Sequence, residues 1–129
     1  MHEAREDAAE ARMTRDQQRK FWALLGDIAR QVKWPVNNSW GYLHKDDWRY
    51  IFAAALMQET RIAQGINGGQ VVLGLRLRDI FAGLSPEDAR RRASELIELV
   101  TAFAVQHDVE LSDPQEAAAV EAYEAQARG

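Results

Sequence analysis

The cationic side chains in the middle of the chain are all arginines. Residues 60–92 contain six arginines, no lysine and three acids, which gives a local net charge of +3. A guanidinium group presents a planar fork that matches a phosphate, and it also stacks on bases. Arg76 and Arg78 are two residues apart beside a glycine-rich turn, whose backbone amides can also face an anion. Phosphate contacts are therefore predicted at Arg61, Arg76, Arg78, Arg90 and Arg91. For the triplet at residues 90–92, a simple solvated helix face is the favoured alternative.

Flat side chains near these cations would suit single-stranded nucleic acid, whose bases stack on aromatic rings. Trp22 lies on the flank of the first predicted helix, beside Arg19 and Lys20. Both a core contact and base stacking stay open for it. Two further aromatic candidates lie in a predicted loop: Trp40 and Tyr42. The other two tryptophans are expected in the core or in dimer contacts: Trp34 and Trp48.

Residues that could support catalysis are few. A metal-dependent nuclease could in principle use His44, Asp46, Asp47 and Glu59. However, acids in the first turn of a helix are explained by the helix dipole. The chain has no H-x-x-x-H or G-x-S-x-G motif, and G-I-N-G-G lacks the Lys-Ser/Thr of a phosphate-binding loop. Cysteine is absent, which excludes disulfides and thiol chemistry. We therefore predict no enzymatic activity, no metal and no cofactor.

The overall charge hides a strong partition along the chain. The 129 residues carry a net charge of −4 and are 47% hydrophobic, as expected for one folded domain. Residues 1–59 are neutral, whereas residues 93–129 carry eight acids and one arginine. The total excludes a protein coated in positive charge but permits a local nucleic-acid surface. No apolar run approaches the length of a membrane helix, so we expect no membrane partner.

The elements that must position these residues follow from capping and periodicity. The spacing of Thr14 and Gln17 predicts a capping box, followed by one apolar stripe to Val32 and a stop before Pro35. Residues 35–44 are predicted as a loop, with Trp40 and Tyr42 covering the core edge. A second helix is predicted from about Lys45, with its buried stripe at Trp48, Ile51, Phe52, Ala55 and Leu56.

A change of period from 3.6 to 2 near residue 60 predicts a β-hairpin that turns at Asn67-Gly68. Its second strand is expected to reach Arg78, with Arg76 and Arg78 on the face opposite Val71, Leu73, Leu75 and Leu77. A third long helix is predicted from Ser85 to about Gln106, and a short strand at residues 109–111. The predicted fold is α+β and mostly helical: three main amphipathic helices, with the hairpin between the second and third. The expected organisation is a flexible arm (1–13), a domain (14–113) and an acidic tail (114–129), helical or disordered.

An ordered series of short segments resembles the NinB/Orf family of bacteriophage recombination proteins. The series begins with D-Q-Q-R-K-F-W at residues 16–22 and continues through Leu25-Gly26-Asp27. It includes Trp48 and Gly69-Gln70-Val71-Val72-Leu73-Gly74, then Glu95 to Leu99, and ends at Ser112-Asp113. The likeness covers about residues 14–113 in register.

The resemblance implies an intertwined homodimer that binds DNA without sequence specificity and prefers single strands. It implies a recombination mediator, active in the cytoplasm of a bacterial host, that works with single-strand-binding protein and a recombinase. At matching positions the best DNA contacts are Gln17, Arg19 and Lys20, with Arg76 and Arg78 in a basic loop region. Two departures stand out: a shorter segment before the capping box, and the acidic tail. The tail keeps open the alternative of a protein-interaction adaptor for a replication or recombination factor.

Overall fold

The chain folds into helices joined by two short hairpins. The computed structural model describes residues 12–59 and 61–128. In chain order the elements are α1 (Arg15–Gln31), β1 (Lys33–Val36), β2 (Ser39–Tyr42), α2 (Lys45–Met57), β3 (Arg61–Gln64), β4 (Gln70–Leu73), α3 (Leu77–Phe81), α4 (Pro86–Gln106) and α5 (Pro114–Arg128). The strands form two separate antiparallel pairs, β1 with β2 and β3 with β4. The predicted α+β, mostly helical class is confirmed.

The predicted capping box starts α1. The Thr14 side chain accepts from the Gln17 backbone N–H at 3.1 Å, and Gln17 Oε1 accepts from the Thr14 N–H at 2.9 Å. These reciprocal bonds satisfy two backbone donors that the first helical turn leaves unpaired. The apolar stripe behind them is buried: Phe21, Leu24, Leu25, Ile28 and Val32.

The core lies where α1, α2 and α4 pack together, and Trp48 is fully buried within it. The Trp48 ring stacks on Phe52 at 5.7 Å and meets the ring of half-buried Trp34 at 5.4 Å. Both tryptophans are therefore core residues, as predicted. On α2, Ala55 was predicted to be buried but is exposed, and Ala53 is buried instead.

The first hairpin corrects the sequence prediction, which placed a loop at residues 35–44. Asn37 and Asn38 adopt φ of 52° and 64°, as a two-residue hairpin turn requires. Pro35 is tolerated because a two-stranded sheet leaves part of each strand without a neighbour. Trp40 and Tyr42 do not cover the core edge, since they are 68% and 60% exposed.

The second hairpin is confirmed but is shorter than predicted. Strand β4 ends at Leu73, and the chain then turns into α3. The Asp79 carboxylate accepts the Arg76 backbone N–H at 2.9 Å, which stabilises the start of that helix. The apolar residues of α3 are buried at helical spacing: Leu77, Ile80 and Phe81. The prediction of one strand as far as Arg78 is therefore wrong.

The C-terminal region begins with the predicted helix α4. The Ser85 side chain accepts from the Asp88 N–H at 3.1 Å, and Pro86 is the first helical residue. Residues 109–111 form no strand; instead the Gln31 side-chain amide donates to Glu110 O and accepts from its N–H, each at 2.8 Å. The acidic tail continues from there as α5.

The residues just before α1 pack against the rest of the domain. Residues 1–11 of the predicted arm lie outside the described residues. Met13 is buried, and Arg12 donates to the Phe81 carbonyl at 2.7 Å.

Among the described residues, no helix is both long enough and apolar enough to cross a membrane.

Candidate nucleic-acid interface

Three of the predicted arginines line one open groove. We call this the arginine groove, and define it by Arg61, Arg76 and Arg78, with Tyr50 and Val72 on its walls. Its volume is about 710 Å³. Arg61 opens β3, Arg76 precedes α3 and Arg78 lies in α3. The prediction that Arg76 and Arg78 lie on one face of a strand is therefore wrong.

The charge in this groove is positive but not uniform. Glu59 and Asp79 also line it, so three guanidinium groups face two carboxylates. Asp79 already accepts the Arg76 backbone N–H. Arg78 is exposed to solvent, and Arg76 is half-buried. The excess of arginine suits the binding of a few phosphates along one wall.

A stack of cations and rings extends the groove toward α1. The Arg49 guanidinium lies 5.0 Å from the centre of the Tyr50 ring and 5.8 Å from that of Trp22. Lys45 Nζ lies 5.6 Å from the Trp22 ring. Such contacts hold rings and cations in fixed relative positions. The surface therefore combines phosphate-binding groups with flat side chains.

Trp22 makes the core contact that the sequence left open, and base stacking on the rest of its ring stays a prediction. Its ring makes an edge contact with Phe21 at 5.3 Å and packs against the core, yet it is only half-buried. The sequence analysis missed its neighbours Lys45 and Arg49, and also Tyr50, which lies on the other side of Arg49. The available signal was the spacing of Lys45 and Arg49, which at i and i+4 share one face of α2.

The position of Tyr50 depends on a glycine. A Cβ atom at Gly74 would lie 2.7 Å from Tyr50 Cδ1 and 3.0 Å from its Cγ. Only glycine lets the chain after β4 pass this close to the ring. Gly74 therefore sets the aromatic wall of the arginine groove.

Comparison with known proteins supplies the family. A family model described as NinB protein matches residues 6–112. The chain belongs to the NinB family. It is 36% identical over 98 residues to Protein ninB of Escherichia phage lambda, covering 76% of this chain and 59% of that protein. It is 37% identical over 101 residues to the ninB proteins of Enterobacteria phage P21 and Salmonella phage P22, with the same coverage.

A solved structure titled as NinB agrees with this assignment. It aligns with a TM-score of 0.55 at 32% identity, covering 79% of this chain and 66% of that one. The resemblance predicted from sequence is thus confirmed. The chain spans about three fifths of the length of the curated NinB relatives it matches.

Two of the DNA contacts predicted on α1, Gln17 and Lys20, interact with other residues of the protein. The Gln17 side-chain amide, besides capping α1, donates to Arg90 O and Ser94 Oγ at 3.1 Å each. Lys20 Nζ lies 3.4 Å from an Asp16 carboxylate oxygen. Gln17 therefore ties α1 to α4. A DNA contact at these positions stays a prediction.

Arg19 links α1 to the start of α5. It pairs with Asp16 at 2.8 Å and with the buried carboxylate of Asp113, and it donates to Gln115 Oε1 at 3.2 Å. The hydrogen bond from Arg19 lowers the pKa of Asp16, and the same bond raises the pKa of Arg19. Much of the charge of Arg19 is therefore matched within the protein.

Another residue of the NinB resemblance, Asp27, also has a structural role. Its carboxylate is buried, pairs with Arg30, and accepts from Ser112 N at 2.9 Å and Ser112 Oγ at 3.2 Å. A buried carboxylate needs such partners, because its desolvation is otherwise costly. Asp27 therefore holds the C-terminal segment on α1.

The arginine triplet of α4 divides into separate roles. Arg90 lines a second groove, of about 430 Å³, together with Arg12 and Thr14. Arg91 pairs with Asp88 at 3.4 Å on the surface. Arg92 donates to the Ile80 carbonyl at 3.2 Å, which braces α3 against α4. Neither Arg90 nor Arg91 lines the arginine groove.

The residues considered for a metal nuclease are not brought together. His44 caps the start of α2, where its Nδ1 accepts from the Asp46 N–H at 3.2 Å. Glu59 follows the other end of this helix of 13 residues, about 20 Å away by helical rise. Within residues 12–59 and 61–128, no group of three His, Asp or Glu side chains is placed to hold a metal ion.

Proposed function

We propose that this NinB-family chain binds single-stranded DNA without sequence specificity and acts as a non-catalytic recombination mediator. The observation that carries the proposal is the arginine groove, which lies beside the stack of Tyr50, Arg49 and Trp22. Arginines supply phosphate contacts, and flat rings supply contacts with unpaired bases. Neither type of contact reads a base edge, so sequence specificity is not expected.

The preference for single strands follows from the aromatic part of the surface. A base can stack on a side chain only when it is free of its neighbours in a duplex. The protein as a whole carries a charge of −4, so long-range attraction to duplex phosphates is weak. In the proposed role, the protein holds exposed single strands while a recombinase replaces single-strand-binding protein.

A homodimer is part of this proposal. The β3–β4 hairpin exposes aliphatic side chains at Ile62 and Ile66, which do not line the arginine groove. A two-stranded hairpin is marginally stable in water, and a second copy that covers its apolar side would stabilise it. Light scattering on the purified protein tests the dimer; a monomer at micromolar concentration would contradict it.

A protein-interaction adaptor is the second candidate, and the contacts of Arg19 favour it. Because Asp113 and Gln115 engage Arg19, a predicted DNA contact is occupied at the base of the acidic helix α5. An acidic helix offers a surface for a basic partner. Binding of purified single-strand-binding protein or recombinase, without DNA binding, would support the adaptor.

The deciding experiment is a fluorescence-anisotropy titration at low salt with labelled single-stranded and duplex oligonucleotides. The proposal predicts tighter binding to the single strand, weakened as salt rises. Absence of binding to either DNA at low salt would overturn it. Incubation of the same DNA with magnesium or manganese tests the non-catalytic claim, which any protein-dependent cleavage would contradict.

A further inference from the structure

The outer face of the β1–β2 hairpin carries two exposed aromatic rings. The register pairs Lys33 with Tyr42 and Pro35 with Trp40, so these four side chains share one face. Trp40 is 68% exposed and Tyr42 is 60% exposed. We infer that this face is a second base-stacking surface for single-stranded DNA, separate from the arginine groove; the inference rests on the proposed function.

The hairpin is held firmly enough to present these rings. On its opposite face, Trp34 packs against Trp48 at 5.4 Å and against Phe103 at 5.5 Å. Trp40 and Tyr42 are two residues apart on one strand, which places their Cα atoms about 7 Å apart. This distance is about twice the 3.4 Å rise of stacked bases, so each ring can take its own base.

The segment of the chain that carries these rings favours a polyanion. No acid occurs between Asp27 and Asp46 along the sequence, whereas Lys33 and Lys45 are present, together with Arg30, which pairs with Asp27. Lys33 Nζ lies over one face of the Tyr42 ring, 5.6 Å from its centre. A stacked base would take the other face, and Lys33 would supply positive charge for its phosphate.

This surface is linked to the proposed site by a short stretch of chain. Lys45 follows β2 by three residues and lies over the Trp22 ring. The inference therefore has a strand pass from the arginine groove by way of Trp22 and Lys45 to Tyr42 and Trp40. The other hairpin differs, because its exposed side chains are aliphatic and suit a protein surface.

The test compares DNA binding by the full chain and by the double variant Trp40→Ala/Tyr42→Ala. Each lost ring is expected to weaken binding of labelled oligo-dT by about 5-fold or more, as for other stacking platforms. The slope of log affinity against log salt should not change, because the rings neutralise no phosphate. Trp40→Phe/Tyr42→Phe keeps both flat faces and should bind nearly as well as the original protein. Val36→Ala, on the opposite face of the hairpin, is the matched control.

The outcomes separate this inference from the proposed function. If the unchanged protein binds DNA and the double alanine variant binds equally well, the hairpin surface is refuted and the arginine groove stands. If the alanine variant changes the oligomeric state but not DNA binding, the face is an interface between copies, and the inference is also overturned. If the unchanged protein binds no DNA, the proposed function fails, and this inference with it. Loss of binding by both double variants, with helix content retained, would contradict stacking as the cause.

Discussion

Removing the three cations of the arginine groove should change both the strength of DNA binding and its dependence on salt. The perturbation is the triple variant Arg61→Ala/Arg76→Ala/Arg78→Ala. Arg61 and Arg78 are exposed, and the α3 cap uses the backbone N–H of Arg76 rather than its side chain. The fold should therefore survive, which circular dichroism and thermal unfolding can verify.

The size of the effect follows from counterion release. Each phosphate neutralised on a single strand contributes about −0.7 to the slope of log affinity against log salt. Three arginine contacts account for a slope of about −2, which corresponds to about a 20-fold loss of affinity from about 50 to about 200 mM salt. The triple variant should lose this part of the slope and bind different sequences with uniformly reduced affinity.

The assay is anisotropy of a labelled oligo-dT at several salt concentrations. The single variants Arg78→Ala and Arg91→Ala form a matched pair, since both remove an exposed helical arginine but only Arg78 lines the groove. Arg78→Ala should reduce the slope by about 0.7, and Arg91→Ala should change it much less. An unchanged slope in the triple variant, with the fold intact, would refute the assignment of phosphate binding to this groove.

Three further predictions concern other contacts. Gly74→Ala should displace the Tyr50 ring and weaken oligo-dT binding in the same assay, because the added Cβ would lie 2.7 Å from the ring. Asp27→Ala should lower the free energy of unfolding in urea by about 1–3 kcal/mol, since it leaves a partly buried backbone N–H without its acceptor. Arg19→Ala should raise the pKa of Asp16 toward its ordinary value, as followed by NMR of the carboxyl carbon. With Arg19 present, the lowered pKa of Asp16 stabilises the fold at pH values above the unfolded-state pKa. This stabilisation is lost as the pH falls through the folded-state pKa. The stability of the Arg19→Ala variant should therefore depend less on pH in this range.

Controls for these predictions come from the same chain. Gly41→Ala is the counterpart of Gly74→Ala, because a Cβ at Gly41 meets no atom within 4 Å. Equal DNA binding by the two alanine variants would contradict the role of Gly74. If Asp27→Ala unfolds at the same urea midpoint as the unchanged protein, the contacts described for Asp27 are contradicted. If the pKa of Asp16 does not change in Arg19→Ala, the role given to the Arg19–Asp16 pair is contradicted.

Local signals accounted for the helices that begin with strong caps. Thr14 with Gln17, and Ser85 with Pro86, predicted the starts of α1 and α4 because capping depends on neighbouring residues alone. The first hairpin was missed because Pro35 and the two asparagines suggested a loop. The asparagines in fact form the hairpin turn, at φ of 52° and 64°. The same residues are compatible with a loop and with a hairpin turn. The pairing of β1 with β2 decides between the two, and it cannot be read from one sequence.

The site was harder to predict because it depends on tertiary contacts. The alternation of apolar residues predicted a strand up to Arg78, whereas burial of Leu77, Ile80 and Phe81 favours helix α3. Arg61 and Arg78 therefore line the same groove. Their positions in the sequence do not show this. The closeness of Gly74 to Tyr50 joins residues 24 positions apart. No pattern of spacing within one element predicts such a contact.

The most direct test of DNA binding at the groove is an NMR titration of the isotope-labelled full chain with oligo-dT. If DNA binds at the arginine groove, the largest shifts should occur at the amides of Tyr50, Gly74, Arg76 and Arg78, and at the Trp22 indole N–H. Shifts confined to α5, or none at all at saturating DNA, would contradict it.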